Sequence, residues 1–162
     1  MEFRGIILSK TAGQHGSDAL FAVPELAQVL GVVMGVVFAA PKHKTVYVAG
    51  DTIWCEGVDE AIDKYHPDVI VLNTGKAILS GWEEDPIIME KEDTLRATIA
   101  APEALIVAVH MDAINHCSLR RNELRDYVRE KGIEDRVLIP SDGEFLKLEP
   151  RIPGIVLEGA VH

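Results

Sequence analysis

One stretch constrains the fold more than any other, residues 45–53, TVYVAGDTI. Its apolar run is rich in β-branched and aromatic residues and stops at Gly50, which is typical of a buried strand with an abrupt end. Gly50 allows a sharp backbone turn because it has no Cβ. Asp51 therefore follows the strand at its carboxyl end, where sheet-based folds place carboxylates for metal binding or acid–base chemistry. The alternative is that Asp51 caps the turn that follows.

Length and composition fit one globular domain. The chain has 162 residues, of which 48% are apolar, and this is enough to bury a sizeable core. We expect a single domain over residues 1–148. Residues 149–162 form a tail for which the sequence predicts no structure.

Charge and hydropathy exclude several classes of function. The formal net charge of −10 would repel phosphate backbones, so we expect no nucleic-acid partner. No stretch reaches the roughly 18 apolar residues that a membrane span requires, and the start of the chain lacks the order of a secretory signal. Cys55 and Cys117 form no disulfide framework. We therefore expect a cytoplasmic protein without a membrane partner.

The first half of the sequence predicts strands and one hairpin. Strands are predicted at residues 3–9, 31–40 and 45–50. The last two would pair antiparallel around a turn at residues 41–44. Residues 11–18 are predicted to be a loop, and residues 19–30 either a short helix or an irregular segment.

The second half alternates between strands and helices. Strands are predicted at residues 68–72, 104–109, 136–140 and 144–148. Helices are predicted at residues 56–66, 91–101 and 119–131. This alternation implies a sheet with helices packed on it, so the expected fold class is α/β.

Three ionisable residues stand at predicted strand ends or in loops, namely His15, Asp51 and His110. Strand ends on one edge of a sheet converge in space, so we expect the three side chains to meet. Two neutral imidazoles and a carboxylate are a ligand set for Zn²⁺ or a similar first-row metal. For His15 alone, which lies in a glycine-flanked loop, the alternative is a solvated side chain.

Further polar residues lie close to this set in sequence. Asp112 and His116 are near enough to His110 to orient its ring or to contact a substrate. His116 could instead stabilise its own loop by bonding to the backbone. Asp142 follows another predicted strand, and its alternative role is to form the turn.

Four sequence blocks, taken together, resemble the second half of the metallo-β-lactamase superfamily, most closely the bacterial branch that is similar to the L-ascorbate 6-phosphate lactonases. The blocks are YVAGDTIW (47–54), PDVIVLNTG (67–75), IVAVHMDAINH (106–116) and IPSDGE (139–144). The resemblance implies a four-layer αββα sandwich that holds one or two metal ions, zinc or manganese, at the sheet edge. It also implies hydrolysis of an ester, lactone, amide or phosphodiester by metal-held hydroxide.

The resemblance also implies roles for single residues. Asp51 would bridge two metal ions, His110 would be the last histidine of the second metal site, and His15 would complete the first. Asp51 and His110 are therefore the expected catalytic residues. His116, Asp112, Asp142 and Trp54 would contact the substrate or orient the metal ligands.

One part of the family pattern is missing. None of the six histidines belongs to the family's His-x-His-x-Asp-His cluster, and the family's first strands are absent, so the expected αββα sandwich is incomplete. At most three of the usual metal ligands remain, which implies weak binding or a single ion. The layer that would cover the sheet is also missing, so we expect self-association, or cover by residues 149–162.

The sequence therefore predicts a metal-dependent hydrolase-like protein acting on a small-molecule lactone, ester or phosphodiester. We expect reduced activity, because half the metal ligands are absent. The alternative is a non-catalytic binding or assembly module derived from such a hydrolase. His15, Asp51 and His110 favour the hydrolase, whereas the missing cluster and the apolar surplus favour the module. In either case we expect a homo-oligomer.

Overall fold

The computed structural model of the chain describes residues 1–112 and 114–148. These residues form one sheet of seven strands, which lie in sequence order across the sheet. The strands are β1 (Glu2–Phe3), β2 (Ile6–Ala12), β3 (Met34–Ala39), β4 (Val46–Val48), β5 (Val69–Asn73), β6 (Leu105–Val109) and β7 (Val137–Leu138). The helices are α1 (Asp18–Phe21), α2 (Pro24–Leu30), α3 (Glu56–Tyr65), α4 (Lys91–Ala100) and α5 (Arg121–Glu130). The expected α/β class is confirmed.

The sheet is antiparallel from β1 to β4 and parallel from β4 to β7. The predicted hairpin is confirmed, with Val37 of β3 opposite Tyr47 of β4. Tyr47 then aligns with Ile70 of β5, which aligns with Ile106 of β6. Because β4, β5 and β6 run in the same direction, their carboxyl ends lie along one edge of the sheet.

Helices α3, α4 and α5 cover one face of this sheet. Tyr47, Ile70 and Ile106 are fully buried there, in one hydrophobic cluster with residues of the three helices. Those helical residues include Val58, Ala97 and Leu124. Burial of this row fixes the register of the parallel strands, since a shift by one residue would turn these side chains to the other face.

The helix ends follow from local sequence. The α4 N-terminus is capped because the backbone N–H of Glu90 donates to the Asp93 carboxylate at 3.0 Å. In α5 the backbone N–H of Arg120 donates to Glu123 at 2.8 Å. Acidic side chains three residues beyond the cap satisfy otherwise unpaired N–H groups. Among the described residues, no helix combines the length and the apolar character needed to cross a membrane.

Two predicted elements differ in the structure. The predicted strand at residues 3–9 is divided into two strands, β1 and β2. Arg4 and Gly5 form the turn between them, with φ values of 51° and 82°. Positive φ at both residues is the conformation of a two-residue hairpin loop. Its second strand, β2, extends to Ala12, into the predicted loop. The irregular alternative for residues 19–30 gives way to two short helices, α1 and α2, the second beginning at Pro24, where a missing N–H costs nothing.

The predicted strand at residues 144–148 is wrong. Glu144 instead closes a local turn, since its backbone N–H donates to the Ser141 carbonyl and its carboxylate accepts from the Ser141 N–H. Phe145 is 98% exposed and so gains nothing from pairing with the sheet. The predicted tail, residues 149–162, lies outside the described residues.

Arg136 anchors β7 to the segment between α4 and β6. Its guanidinium donates to the carbonyls of Ala101 and Ala104 at 2.6 to 3.1 Å. We expect Arg136→Ala to lower the free energy of unfolding by about 2 kcal/mol, because half-buried carbonyls lose charged donors. Arg129→Ala, which removes an exposed ion pair with Asp126, should change it by less than about 0.5 kcal/mol. Urea unfolding measures both, and equal effects would contradict this anchoring role.

Candidate metal centre at the carboxyl ends of the strands

Gly50 and Asp51 leave β4 at the edge where the parallel strands end. Gly50 has a φ of +76°, and a Cβ there would lie 2.8 Å from the Met34 carbonyl oxygen. Only glycine therefore allows the chain to turn closely over the start of β3. The turn leaves the Asp51 carboxylate partly exposed, at 42% for the side chain.

Asn73 and His110, at the ends of the next two strands, both approach this carboxylate. The Asn73 side-chain amide donates to Asp51 Oδ1 at 2.6 Å. His110 Nε2 lies 3.7 Å from the same oxygen, which is too far for a hydrogen bond. Two metal bonds of about 2.1 Å at a tetrahedral angle place the ligand atoms about 3.4 Å apart. The separation between Asp51 and His110 therefore fits two ligands of one metal ion.

His15 belongs to a loop that is fastened to the loop of Asp51. The buried Thr52 hydroxyl accepts from the Gln14 N–H at 2.8 Å, and the Ile53 N–H donates to the Gln14 carbonyl at 2.8 Å. His15 Nδ1 lies 3.4 Å from the Leu30 carbonyl oxygen. A carbonyl can only accept, so this contact is a hydrogen bond in the tautomer that carries its proton on Nδ1, and Nε2 then has a free lone pair. Metal-binding histidines are commonly oriented in this way.

The structure brings Asp51 and His110 together but does not assemble a complete metal site. Among the described residues, no group of three or more His, Cys, Asp or Glu side chains is arranged to hold a metal ion. His15 is therefore in the neighbouring loop but outside such a group. The three-residue ligand set stays a prediction, for which the structure supplies one adjacent pair.

Asp112 and Asp142 are connected by Arg121. The Arg121 guanidinium contacts Asp112 Oδ2 at 3.1 Å, bonds to Asp142 Oδ1, and donates to the Pro140 carbonyl at 3.0 Å. The loop after β6 is thereby tied to the loop after β7. Arg121 thus binds both carboxylates. That they contact a substrate or orient the metal ligands stays a prediction.

His116 and Trp54 have different surroundings. His116 is exposed, and its backbone carbonyl accepts from the Ile78 N–H at 3.1 Å. Trp54 lies against α3 and α4, since its indole N–H donates to Asp59 at 3.0 Å and the Arg96 guanidinium lies 4.5 Å from its ring centroid. His116 is thus free to reach a ligand, whereas Trp54 already has two partners.

Gly75 and Cys117 hold the backbone at His110. A Cβ on Gly75 would lie 2.1 Å from the His110 carbonyl oxygen and 2.7 Å from Cys117 Sγ. Burial raises the pKa of the Cys117 thiol, and the nearby Asp51 carboxylate raises it further. The neutral thiol is 3.5 Å from the His110 carbonyl oxygen, to which it donates. His110 itself has a φ of 64°, a strained conformation for a non-glycine residue, and such strain is common at functional sites.

Sequence reasoning missed the roles of Asn73 and Arg121. Asn73 directly follows the predicted strand at residues 68–72, as Asp51 and His110 follow theirs, and this position was a usable signal. Arg121 looked like one of several charged residues on the outer side of an amphipathic helix. Its contacts depend on where two distant loops meet, and the sequence offers no local signal for that.

One curated protein is similar to most of the chain. The UPF0173 protein YddR of Bacillus subtilis is 42% identical over 142 residues, which are 88% of this chain and 53% of that protein. The chain therefore spans about half the length of this relative. No protein-family model matches the chain.

Three solved structures share its fold. A possible metal-dependent hydrolase from Veillonella parvula is 44% identical, with a TM-score of 0.89, over 91% of this chain and 56% of that protein. An isothiocyanate hydrolase from Delia radicum gut bacteria is 46% identical, with a TM-score of 0.87, over 91% of this chain and 56% of its own.

Igni18, a metallo hydrolase from the archaeon Ignicoccus hospitalis, is 23% identical with a TM-score of 0.64, over 90% of this chain and 54% of its own. At this identity the likeness concerns the fold alone.

The expected fold is confirmed as α/β and metallo-β-lactamase-like, with the described residues forming one sheet and one helix layer of the incomplete αββα sandwich. The similarity extends to metal-dependent hydrolases in general, and the lactonase branch stays a prediction.

We expect Gly75→Ala to destabilise the protein by about 3 kcal/mol, because the new methyl group overlaps the His110 carbonyl oxygen and Cys117 Sγ. Gly132→Ala is the control, since Gly132 has a φ of +64° but nothing within 4 Å of a Cβ; it should cost about 1 to 2 kcal/mol. Thermal and urea unfolding measure both. A smaller effect at Gly75 than at Gly132 would show that the loop after β6 yields easily.

The two cysteines should differ in reactivity. Cys117 is 1% exposed and its pKa is raised by burial, so little of it is thiolate near neutral pH. Cys55 is half-buried. A disulfide reagent should therefore modify Cys55 first in the native protein, with Cys55→Ser and Cys117→Ser assigning the phases. Equal rates would mean that the loop after β6 opens frequently.

Proposed function

We propose that this chain is a metal-dependent hydrolase-like protein that acts on small molecules, with Asp51, His110 and His15 as its metal ligands. The observation that carries the proposal is the 3.7 Å separation of Asp51 Oδ1 and His110 Nε2 at the carboxyl edge of the parallel strands. A bound zinc or manganese ion would supply Lewis acidity and a water nucleophile near neutral pH. The similarity to metal-dependent hydrolases over 91% of the chain supports this assignment.

Each residue at the site then has a defined task. Asn73 holds Asp51 Oδ1 by a short hydrogen bond, so the carboxylate keeps one orientation next to His110. The strained backbone of His110 is fixed by the contact with Gly75, which sets the direction of its ring. The Leu30 carbonyl orients the His15 ring, so its free nitrogen is Nε2. His116, which is exposed in the loop after β6, would contact the substrate.

Two substrate classes are consistent with this chemistry. The residue pattern favours a lactone, ester or phosphodiester, each with an electrophilic carbon or phosphorus that a metal-held water attacks. The 46% identity to an isothiocyanate hydrolase adds isothiocyanates, whose central carbon is also electrophilic. Both classes require water to add at the edge of the sheet where Asp51 and His110 stand.

A second candidate is a non-catalytic binding or assembly module. It is favoured by one observation, that the described residues bring no three metal ligands into one group. Two-metal hydrolysis requires both ions to be held firmly. A chain with an incomplete ligand set would keep the fold while losing turnover.

Metal binding by the full chain tests the first proposal. The purified protein, stripped with a chelator and titrated with zinc or manganese, should bind at least one ion per chain by elemental analysis and calorimetry. Asp51→Ala and His110→Ala should each weaken binding at least about tenfold, because each removes a direct ligand. His15→Ala tests whether the neighbouring loop supplies the third ligand.

The matched control is His43→Ala. His43 is exposed in the turn after β3, at the opposite end of the sheet, and should not affect binding. The metal-loaded chain is then assayed with a lactone, a phosphodiester and an isothiocyanate. Binding without turnover would favour the module, and no binding in the metal-replete wild type would refute the hydrolase proposal.

A further inference from the structure

The loops around the candidate metal centre carry few basic residues. Four segments of the chain meet at this edge of the sheet, namely residues 13–33, 49–55, 74–90 and 110–120. Together they contain two Lys or Arg residues, Lys76 and Arg120, against eight Asp and Glu residues. Proteins ordinarily bind an anionic group of a ligand with Arg or Lys side chains, or with free N–H groups at a helix N-terminus. The composition of these segments therefore disfavours an anion at this edge.

The lysines near this edge already contact carboxylates. Lys76 Nζ lies 2.6 Å from Glu90 Oε2, and this bond raises the pKa of Lys76 because it favours the charged ammonium group. Lys91, the first residue of α4, has its Nζ 3.8 Å from Glu92 Oε1 and 5.4 Å from the centroid of the Tyr127 ring. Each lysine thus has an acidic partner within its own part of the chain.

Arg120 and Arg121 face Asp112, in the loop that follows His110. Arg120 Nη1 lies 3.5 Å from Asp112 Oδ1, and Arg121 Nη1 lies 3.1 Å from Asp112 Oδ2. Arg121 also binds Asp142. A phosphate or carboxylate group on a substrate would have to break one of these ion pairs, or lose its water without gaining a counter-ion, and both are costly.

A hydrophobic cluster, which we call the edge cluster, joins the loops of His15 and His110. Its buried members are Leu20, Leu30, Ala77, Ile87, Ile88 and Cys117. The cluster reaches His15 through Gly16, where a Cβ would lie 2.9 Å from Leu20 Cδ1. It reaches His110 through Cys117, whose Sγ lies 3.5 Å from the His110 carbonyl oxygen. Both histidines are therefore attached to the same apolar cluster.

Half-buried apolar side chains extend the edge cluster towards the surface. They are Phe21, Leu26, Leu79, Trp82 and Ile114. Leu79 and Trp82 share a turn, in which the Trp82 N–H donates to the Leu79 carbonyl at 2.9 Å. Ile114 lies in the loop after His110, where its carbonyl accepts from the Cys117 N–H at 3.2 Å. An apolar ligand gains free energy by covering such side chains, because their remaining surface then leaves water.

We propose that the substrate of this site is an uncharged small molecule with an apolar body, namely a lactone, ester or isothiocyanate that carries an aromatic or alkyl group. The inference rests on the proposed function, since it concerns the same site. The apolar body would contact Leu79, Trp82 and Ile114. A phosphodiester is disfavoured, because the nearby cations already bind carboxylates. A phosphorylated lactone is disfavoured for the same reason, although four sequence blocks resemble those of the L-ascorbate 6-phosphate lactonases.

Binding of two stable probes to the full chain, stripped of metal with a chelator, tests the proposal. The probes are an uncharged phenyl-substituted lactam and phenyl phosphate, which share the aromatic group, and calorimetry measures each dissociation constant. The lactam should bind at least about tenfold more tightly, because phenyl phosphate would lose water from its charge without gaining a cation. Equal affinities, tighter binding of phenyl phosphate, or no binding of the lactam would each overturn the proposal.

Ile114→Arg tests whether the charge of this wall sets the preference. The new guanidinium group should strengthen binding of phenyl phosphate at least about fivefold, by a charge-assisted hydrogen bond, and weaken binding of the lactam. Leu79→Arg repeats the test from the neighbouring loop, and circular dichroism shows whether each variant is folded. If both folded variants leave the two affinities unchanged, the proposal is wrong.

The matched control is Phe3→Arg. Phe3 is 61% exposed beside the start of β2, at the opposite end of the sheet from the candidate metal centre. This variant changes the net charge as Ile114→Arg does, and it should leave both affinities unaltered. An equal gain in phenyl phosphate binding from Phe3→Arg would mean that overall charge, rather than the wall at the edge cluster, sets the preference, and this would also overturn the proposal.

Turnover separates this inference from the proposed function. The metal-loaded chain is assayed with a phenyl-substituted lactone and with the same lactone carrying a phosphate group on its ring. The kcat/KM of the uncharged lactone should be at least about tenfold higher. A higher value for the phosphorylated lactone would overturn the inference and support the hydrolase. Turnover of neither would count against the hydrolase, and the probe affinities would still decide which class of ligand the site binds.

Discussion

The parallel register of β4, β5 and β6 is the constraint on which the rest of the structure depends. It is fixed by the row of Tyr47, Ile70 and Ile106, which are completely buried beneath the helices. Once this row is aligned, the residues that end the three strands must lie side by side. Asp51 and His110 thus approach each other from positions 59 residues apart in the sequence, and the geometry of the site is set by the core rather than by the loops.

Much of this could be predicted from the sequence, because buried strands and amphipathic helices leave local patterns. The runs around Val48, Ile70 and Ile106, each closed by glycine or by a polar residue, indicated the strands and the edge where they end. Local patterns fail where a turn has weak signals. The turn at Arg4 and Gly5 divides the strand predicted at residues 3–9. Its only local sequence signal is Gly5, which is too weak to predict a turn. Residues 144–148 have the apolar pattern of a strand. In the structure Glu144 hydrogen-bonds to Ser141 within a turn, and Phe145 is 98% exposed.

The candidate site, like the fold, could be predicted only in part. Asp51 and His110 could be predicted because each directly follows a buried strand, so their place requires only the order of the strands. The contacts that hold them could not be. Asn73 binds Asp51 across two strands, Gly75 admits the His110 carbonyl oxygen at a distance that excludes any side chain, and Arg121 joins two loops. These contacts arise from the relative placement of segments, and no residue pattern within one segment encodes such placement.

Asn73 connects the candidate metal centre to the sheet face that points away from α3, α4 and α5. Asn73 has the same parity as Val71 and Val69, so it ends the row of β5 side chains that points away from the three helices. The Asp51 carboxylate accepts a hydrogen bond from Asn73 and is thereby held next to the end of this row. A covering layer would therefore exclude water from one side of the pair formed by Asp51 and His110, and exclusion of water strengthens every charged contact there. Whether that side is covered therefore decides how strongly the Asp51 carboxylate and the His110 ring interact with a charged ligand.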